Sequence, residues 1–139
     1  MPAGYSKQSL VQKLGIKEGT RIALVSAPRG YRKTLGPLPA GVRVTTSARG
    51  ALPFIQFFAV ARRDLAKRFP ALVRSLAPHG GLWISWPKQT SGKATDLKED
   101  LIRELGLACG VVDVKVCAVD EIWSGLKFMR RVTPSDKER

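Results

Sequence analysis

Arg21-Ile22-Ala23-Leu24-Val25-Ser26 decides the fold. Its apolar run is bounded by the turn-forming Lys17-Glu18-Gly19-Thr20 and Ala27-Pro28-Arg29-Gly30. A short continuous apolar stretch of this kind reads as a strand covered on both faces, as in a parallel sheet between helix layers. Leu82-Trp83-Ile84-Ser85-Trp86 has the same character. The two are expected side by side, or nearly so, in one central layer.

Outward from the first strand, Ser6 to Leu14 places Leu10, Val11 and Leu14 at helical spacing, with Ser6 as N-cap and Gly15 as stop. Tyr31 to Leu35 reads as a turn of helix, Val42 to Thr46 as a short second strand, and Ser47 to Leu52 as a loop. Phe54 to Val60 is a third strand, rich in aromatic and branched residues. Arg63 to Leu76 repeats Leu65, Phe69, Leu72, Val73 and Leu76 at helical spacing, with Pro70 expected to bend it. Pro78-His79-Gly80-Gly81 reads as a turn before the Leu82–Trp86 strand.

After a loop from Pro87 to Thr95, Asp96 and Glu99 stand in capping-box spacing at the head of a helix. Leu97, Leu101, Ile102, Leu105 and Leu107 or Ala108 form its buried stripe, and Gly110 stops it. Val112 to Val119 alternates as a strand with one wet face, Asp120 to Gly125 is a hairpin connection, and Leu126 to Val132 pairs back. Strands alternating with helices and ending in a hairpin specify an α/β fold, a three-layer Rossmann-like sandwich whose mostly parallel sheet has about six strands and ends in an antiparallel C-terminal hairpin. No repeat, low-complexity block or long linker interrupts residues 1–139. One domain is expected, with 1–20 as N-terminal helix and lead-in and 133–139 as a polar tail.

The net charge is +13 and uneven: residues 1–95 hold 16 Lys/Arg against two acids, and residues 96–139 hold eight against nine. Such a balance favours encounter with anions, whether a small anionic ligand, a nucleotide or nucleic acid, and equally suits a solvated basic surface. Cys109 and Cys117 are too few for a disulfide framework, and the lone His79 rules out most zinc sites and catalytic triads. The first 20 residues show no secretory pattern, and the longest greasy run, Ala51 to Ala61, falls short of the ~20 residues of a membrane span. A cytoplasmic setting without membrane attachment is expected.

Lys13-Leu14-Gly15-Ile16-Lys17-Glu18-Gly19, Trp83-Ile84-Ser85-Trp86-Pro87-Lys88, Thr95-Asp96-Leu97 and Val114 to Phe128 carry a resemblance over nearly the whole chain. They resemble a family of small bacterial proteins known only as a domain of unknown function, with Trp-Pro-Lys and Val-Asp-Glu-x-Trp-Ser-Gly-Leu-Lys-Phe motifs. More distantly, the order of elements is similar to class I methyltransferases, which also end a parallel sheet with an antiparallel hairpin. That resemblance implies a Gly-x-Gly-x-Gly type turn after the first strand and an acid after the second. Here those places hold Ser26-Ala27-Pro28-Arg29-Gly30 and Thr45, Thr46 or Ser47.

Ligands of open α/β sheets bind outside the carboxyl ends of the strands. The candidate ligand-binding residues are therefore Ser26, Arg29, Arg32 and Lys33 after the first strand; Ser85, Trp86, Lys88 and Lys93 around the fourth; and Asp120 and Trp123 in the hairpin. Five of them are cations that can converge on one phosphate or carboxylate or remain scattered in solvent, and each tryptophan can stack on a flat ligand or pack the rim of the core. Asp120 and Glu121 either cap the hairpin or pair with Lys127, Arg130 or Arg131. Ser91-Gly92-Lys93-Ala94-Thr95 departs from a phosphate-binding loop at Pro87 and Ala94, and no Gly-x-Ser-x-Gly elbow exists. No catalytic or metal residue is assigned. The cofactor stays unidentified, and the reading is a non-catalytic binding or regulatory module for a small anionic ligand. The alternatives are a basic nucleic-acid-associated protein and a degenerate methyltransferase-like enzyme.

Overall fold

The computed structural model describes residues 8–131. Strands β1 (Arg21–Val25), β2 (Arg43–Thr45), β3 (Leu52–Phe58) and β4 (Leu76–Pro87) run parallel. Strand β6 (Trp123–Arg130) lies antiparallel between β4 and the edge strand β5 (Val111–Ala118), giving the order β2-β1-β3-β4-β6-β5. The expected sheet and terminal hairpin are both present. β1 and β4 flank β3, and Val25, Phe57 and Ile84 share one cross-strand row.

Helices α3 (Arg62–Arg74) and α4 (Glu99–Ala108) cover one face, while α1 (Leu10–Leu14) and α2 (Tyr31–Leu35) cover the other. Period-two alternation divides β1 between the layers: Ala23 and Val25 pack under α3, Ile22 and Leu24 under α1 and α2. On the α3 side Leu65, Phe69 and Leu72 bury against Ile55, Phe57 and Phe128. Full burial of such a side chain is worth roughly 1.5–3 kcal/mol, so these contacts fix how the layers stack. Helix α1 is too short to persist alone. Its ends are tied instead: Ser9 and Gln12 form a capping box, Gly15 turns left-handed at φ 81°, and the Trp83 indole N–H donates to Leu14 O at 2.9 Å.

Several expectations need correction. The N-cap of α1 is Ser9, and Ser6 lies outside the described residues, as do Val132 and the tail 133–139. Pro78 to Gly81 is no turn but the early part of β4, which starts at Leu76. A Cβ on Gly80 would stand 2.8 Å from Leu52 O, so glycine there admits a close backbone approach where the β3–β4 register shifts. Asp96 does not cap its own helix; its Oδ1 accepts the Arg62 N–H at 2.7 Å and caps α3, while α4 begins at Glu99 without a side-chain cap. Leu107 and Ala108 are exposed, and Gly106 is the buried residue there, facing the Phe128 ring. Trp123 opens β6 instead of sitting in the turn. Helix α3 continues through exposed Pro70. No helix is long and apolar enough to cross a membrane among the described residues.

Candidate ligand site at the carboxyl ends of the strands

The loop after β1 turns sharply, with Ser26 at φ 58° and Gly30 at φ 81°, before α2 begins. A non-glycine residue at positive φ is uncommon and marks a constrained turn. Ser26, Arg29, Arg32 and Lys33 are all exposed on this loop and α2. Beneath them the floor is closed. Tyr31, Phe58 and Trp123, each under a tenth exposed, stack edge to face with centroids 4.6 and 5.1 Å apart. The Tyr31 hydroxyl donates to Gln56 Oε1 at 2.8 Å, and Gln56 Nε2 donates to Ser85 Oγ at 3.0 Å. Burial pushes the Tyr31 phenol well above its ordinary value, which keeps it a neutral donor. Ser85 therefore belongs to a buried polar chain instead of a cleft wall.

The structure does not gather all the candidate residues at one point. Trp86 packs with the α3 and α4 layer, whereas Trp123 packs with the α1 and α2 layer. Asp120 is the cap of the hairpin turn, its Oδ1 accepting from the Ile122 and Trp123 backbone N–H groups at 2.8 Å each. No ion pair joins Asp120 or Glu121 to β6; among the described residues every salt bridge involves Arg103. Lys93 is exposed beyond a short 3-10 turn at Gln89–Ser91, and Thr95 bridges loops by donating to Val60 O.

What remains together is Trp86 and Lys88. They border a cavity of about 350 Å³ at the carboxyl end of β4, with Gln89, Thr90, Leu97, Lys98, Glu99 and Ser124 completing its lining. Trp86 and Leu97 make an apolar floor, both nearly buried. Lys88 is half-buried, and its backbone N–H is held by Ile122 O at 2.7 Å, which ties the cavity rim to the hairpin. Glu99 is engaged by Arg103, which also holds Asp100 and Asp113. An apolar floor with convergent polar rim groups is the ordinary make-up of a small-molecule site, and its size falls near the low end of such sites. Ser124 was not evident from sequence, but hairpin register alone places it opposite Trp86. Leu97 and Glu99 are legible in the sequence only as helix residues and Lys98 not at all; their place at the cavity depends on how the segment leading into α4 docks.

S-adenosylmethionine, the cofactor the methyltransferase-like order would suggest, does not fit the residues present. The loop after β1 offers one glycine, Gly30, and β2 ends at Thr45, whose hydroxyl hydrogen-bonds with Ser47 instead of presenting a carboxylate to a ribose. The ring stack of Tyr31, Phe58 and Trp123 occupies the floor behind that loop.

No protein-family model matches the chain, and no curated protein matches it. Solved structures do. A SAM-dependent methyltransferase from Aquifex aeolicus aligns over 88% of this chain and 88% of its own, at 15% identity and TM-score 0.60. Magnesium protoporphyrin IX methyltransferase from Synechocystis PCC 6803 with bound SAH aligns over 88% and 78%, at 13% identity and TM-score 0.58. A protein of the NADB-Rossmann superfamily from Streptococcus agalactiae aligns over 98% and 74%, at 13% identity and TM-score 0.55. At such identities the likeness is one of fold: a methyltransferase-like Rossmann sheet.

Proposed function

We propose that this chain is a Rossmann-like binding module that takes a small anionic ligand at the carboxyl ends of its strands, in the cavity floored by Trp86. The observation that carries this reading is the pairing of a nearly buried indole with a half-buried lysine, Lys88, in a cavity of about 350 Å³. A flat or apolar portion of the ligand rests on Trp86 and Leu97, and its negative group meets Lys88 and Lys98. The lining contains no histidine or cysteine, and its hydroxyls, on Thr90 and Ser124, have no adjacent imidazole to activate them. Binding is therefore favoured over catalysis.

The test is a fluorescence titration with nucleotides, phosphorylated sugars and S-adenosylmethionine. The reading expects a saturable change from an anionic ligand that disappears in Trp86→Phe and weakens about tenfold in Lys88→Ala, the scale of one charge-assisted contact. No response to any anion, or an unaltered titration in Lys88→Ala, contradicts it. Saturable binding of S-adenosylmethionine would favour the methyltransferase-like alternative instead.

A second reading, nucleic-acid association, has its own observation. Helix α3 exposes Arg62, Arg63, Lys67 and Arg74 along its outer side, with Asp64 its single acid. That reading expects retention on a polyanion column that falls steeply with salt, and early elution at modest salt removes it.

A further inference from the structure

The opposite end of the sheet holds a second cavity, of about 210 Å³, bordered by Leu14, Gly15, Lys17, Phe54, His79 and Lys127 among others. At a liquid-water share of roughly 30 Å³ per molecule, it has room for a small group. It lies on the α1 and α2 side, beneath the end of α1.

Lys127 is the unusual element. Hairpin register sets Trp83, Lys127 and Lys115 in one cross-strand row, so two lysines stand directly opposite each other. Like charges so placed repel. A surface lysine ordinarily swings its head into water. Here the stem lies across Gly81: a Cβ at that glycine would stand 2.6 Å from Lys127 Cε, and one on Gly15 would stand 3.6 Å from Lys127 Nζ. The missing side chain at Gly81 is thus the slot that lets the lysine reach the cavity. Lys115 is held nearby, its Nζ donating to Lys13 O at 3.1 Å. No carboxylate lines the cavity, and the salt bridges of the described residues all involve Arg103. Burial, and then the charges of Lys115 and Lys17, push the Lys127 ammonium below its ordinary value.

We propose that this cavity at the amino ends of the strands binds a phosphate group, with Lys127 and Lys17 as its cationic partners and His79 at its rim. A phosphate oxyanion supplies the negative charge that the lysine row lacks, and Leu14 and Phe54 give its apolar substituent, when it is an ester, a wall to rest on. This site is separate from the Trp86 cavity, so either proposal stands if the other fails.

Isothermal calorimetry with inorganic phosphate and with methyl phosphate tests it. Saturable binding of either supports the proposal, and the tighter of the two identifies free phosphate or a phosphate ester as the natural form. Lys127→Met, which keeps the stem over Gly81 but not the charge, is expected to weaken binding about tenfold or more, with Lys127→Arg retaining more of it. Lys17→Ser in the exposed turn provides a second variant remote from the core and is expected to weaken binding severalfold, whereas Arg131→Ala leaves it unchanged. Absence of saturable heat with both phosphates, or equal affinity in wild type, Lys127→Met and Lys17→Ser when all three are folded by circular dichroism, overturns the proposal.

Discussion

At the carboxyl ends of the strands, Lys88 and Lys98 share a cavity with Glu99, whose carboxylate is bound by Arg103; at the amino ends, Lys17 and Lys127 share one with His79 and no carboxylate at all. The first cavity rests on an indole, the second on a glycine slot. The net charge of +13 is thus neither uniform nor merely superficial. Where acids are present it is locally offset, and where they are absent the Lys127 stem lies against Gly81, with its ammonium at the cavity.

The sharpest way to separate the two ends is to unfasten one of them. Trp83→Ala removes a fully buried indole and leaves Leu14 O without its donor, which is expected to cost about 3–5 kcal/mol in denaturant unfolding. A cost below about 1 kcal/mol would show that α1 is not anchored through Trp83. Gly106→Ala strikes the other layer. Its Cβ would meet Phe128 Cε1 at 2.2 Å, so α4 must shift, with an expected loss of about 1–3 kcal/mol and weakened ligand response at the Trp86 cavity. Full stability in this variant would mean that α4 docks more loosely than described. Tyr31→Phe leaves Gln56 Oε1 without its donor in the floor between the ends, and about 1–2 kcal/mol is expected to be lost.

Buried Tyr31 and half-buried Lys127 give opposite slopes with pH. The Tyr31 phenol is held above its unfolded value of 10.0, so its contribution to stability is complete below that pH and falls as pH rises beyond it. The Lys127 ammonium is held below its unfolded value of 10.5, so its folded-state penalty is relieved as pH climbs from the lowered value towards 10.5. Unfolding free energy followed against pH in wild type and Lys127→Met is expected to differ on the alkaline side, with the wild type gaining relative to the variant. Parallel curves would contradict the placement of Lys127. The smallest effect is expected at Arg103→Ala, whose partly exposed bridges to Glu99, Asp100 and Asp113 are screened by salt.

How much of this was legible in the sequence follows from which interactions are local. The apolar runs of β1 and Leu82–Trp86 announce their strands because burial on both faces leaves no polar alternation to confuse them. Pro78 to Gly81 misleads because glycine and proline favour turns in general, whereas here Gly80 serves a close contact with Leu52 O from another strand. Asp96 has the spacing of a local cap yet bonds Arg62, 34 residues away. Of the residues that line the β4-end cavity, Trp86 is legible because it ends an apolar strand run, whereas Lys98 is not, because its place depends on the path of the chain into α4. From sequence Lys127 reads as a partner for Asp120 or Glu121; its place opposite Lys115 across the hairpin follows only from the register shift between Asp113 and Lys115.

Both proposals have anions entering at the two ends of this sheet. Backbone amide chemical shifts recorded during titration with a nucleotide and with phosphate test this most directly. Saturable shifts are expected at Trp86, Lys88 and Ser124 for the first, and at Gly15, Gly81 and Lys127 for the second. Shifts confined to the outer side of α3, or none that saturate, would contradict it.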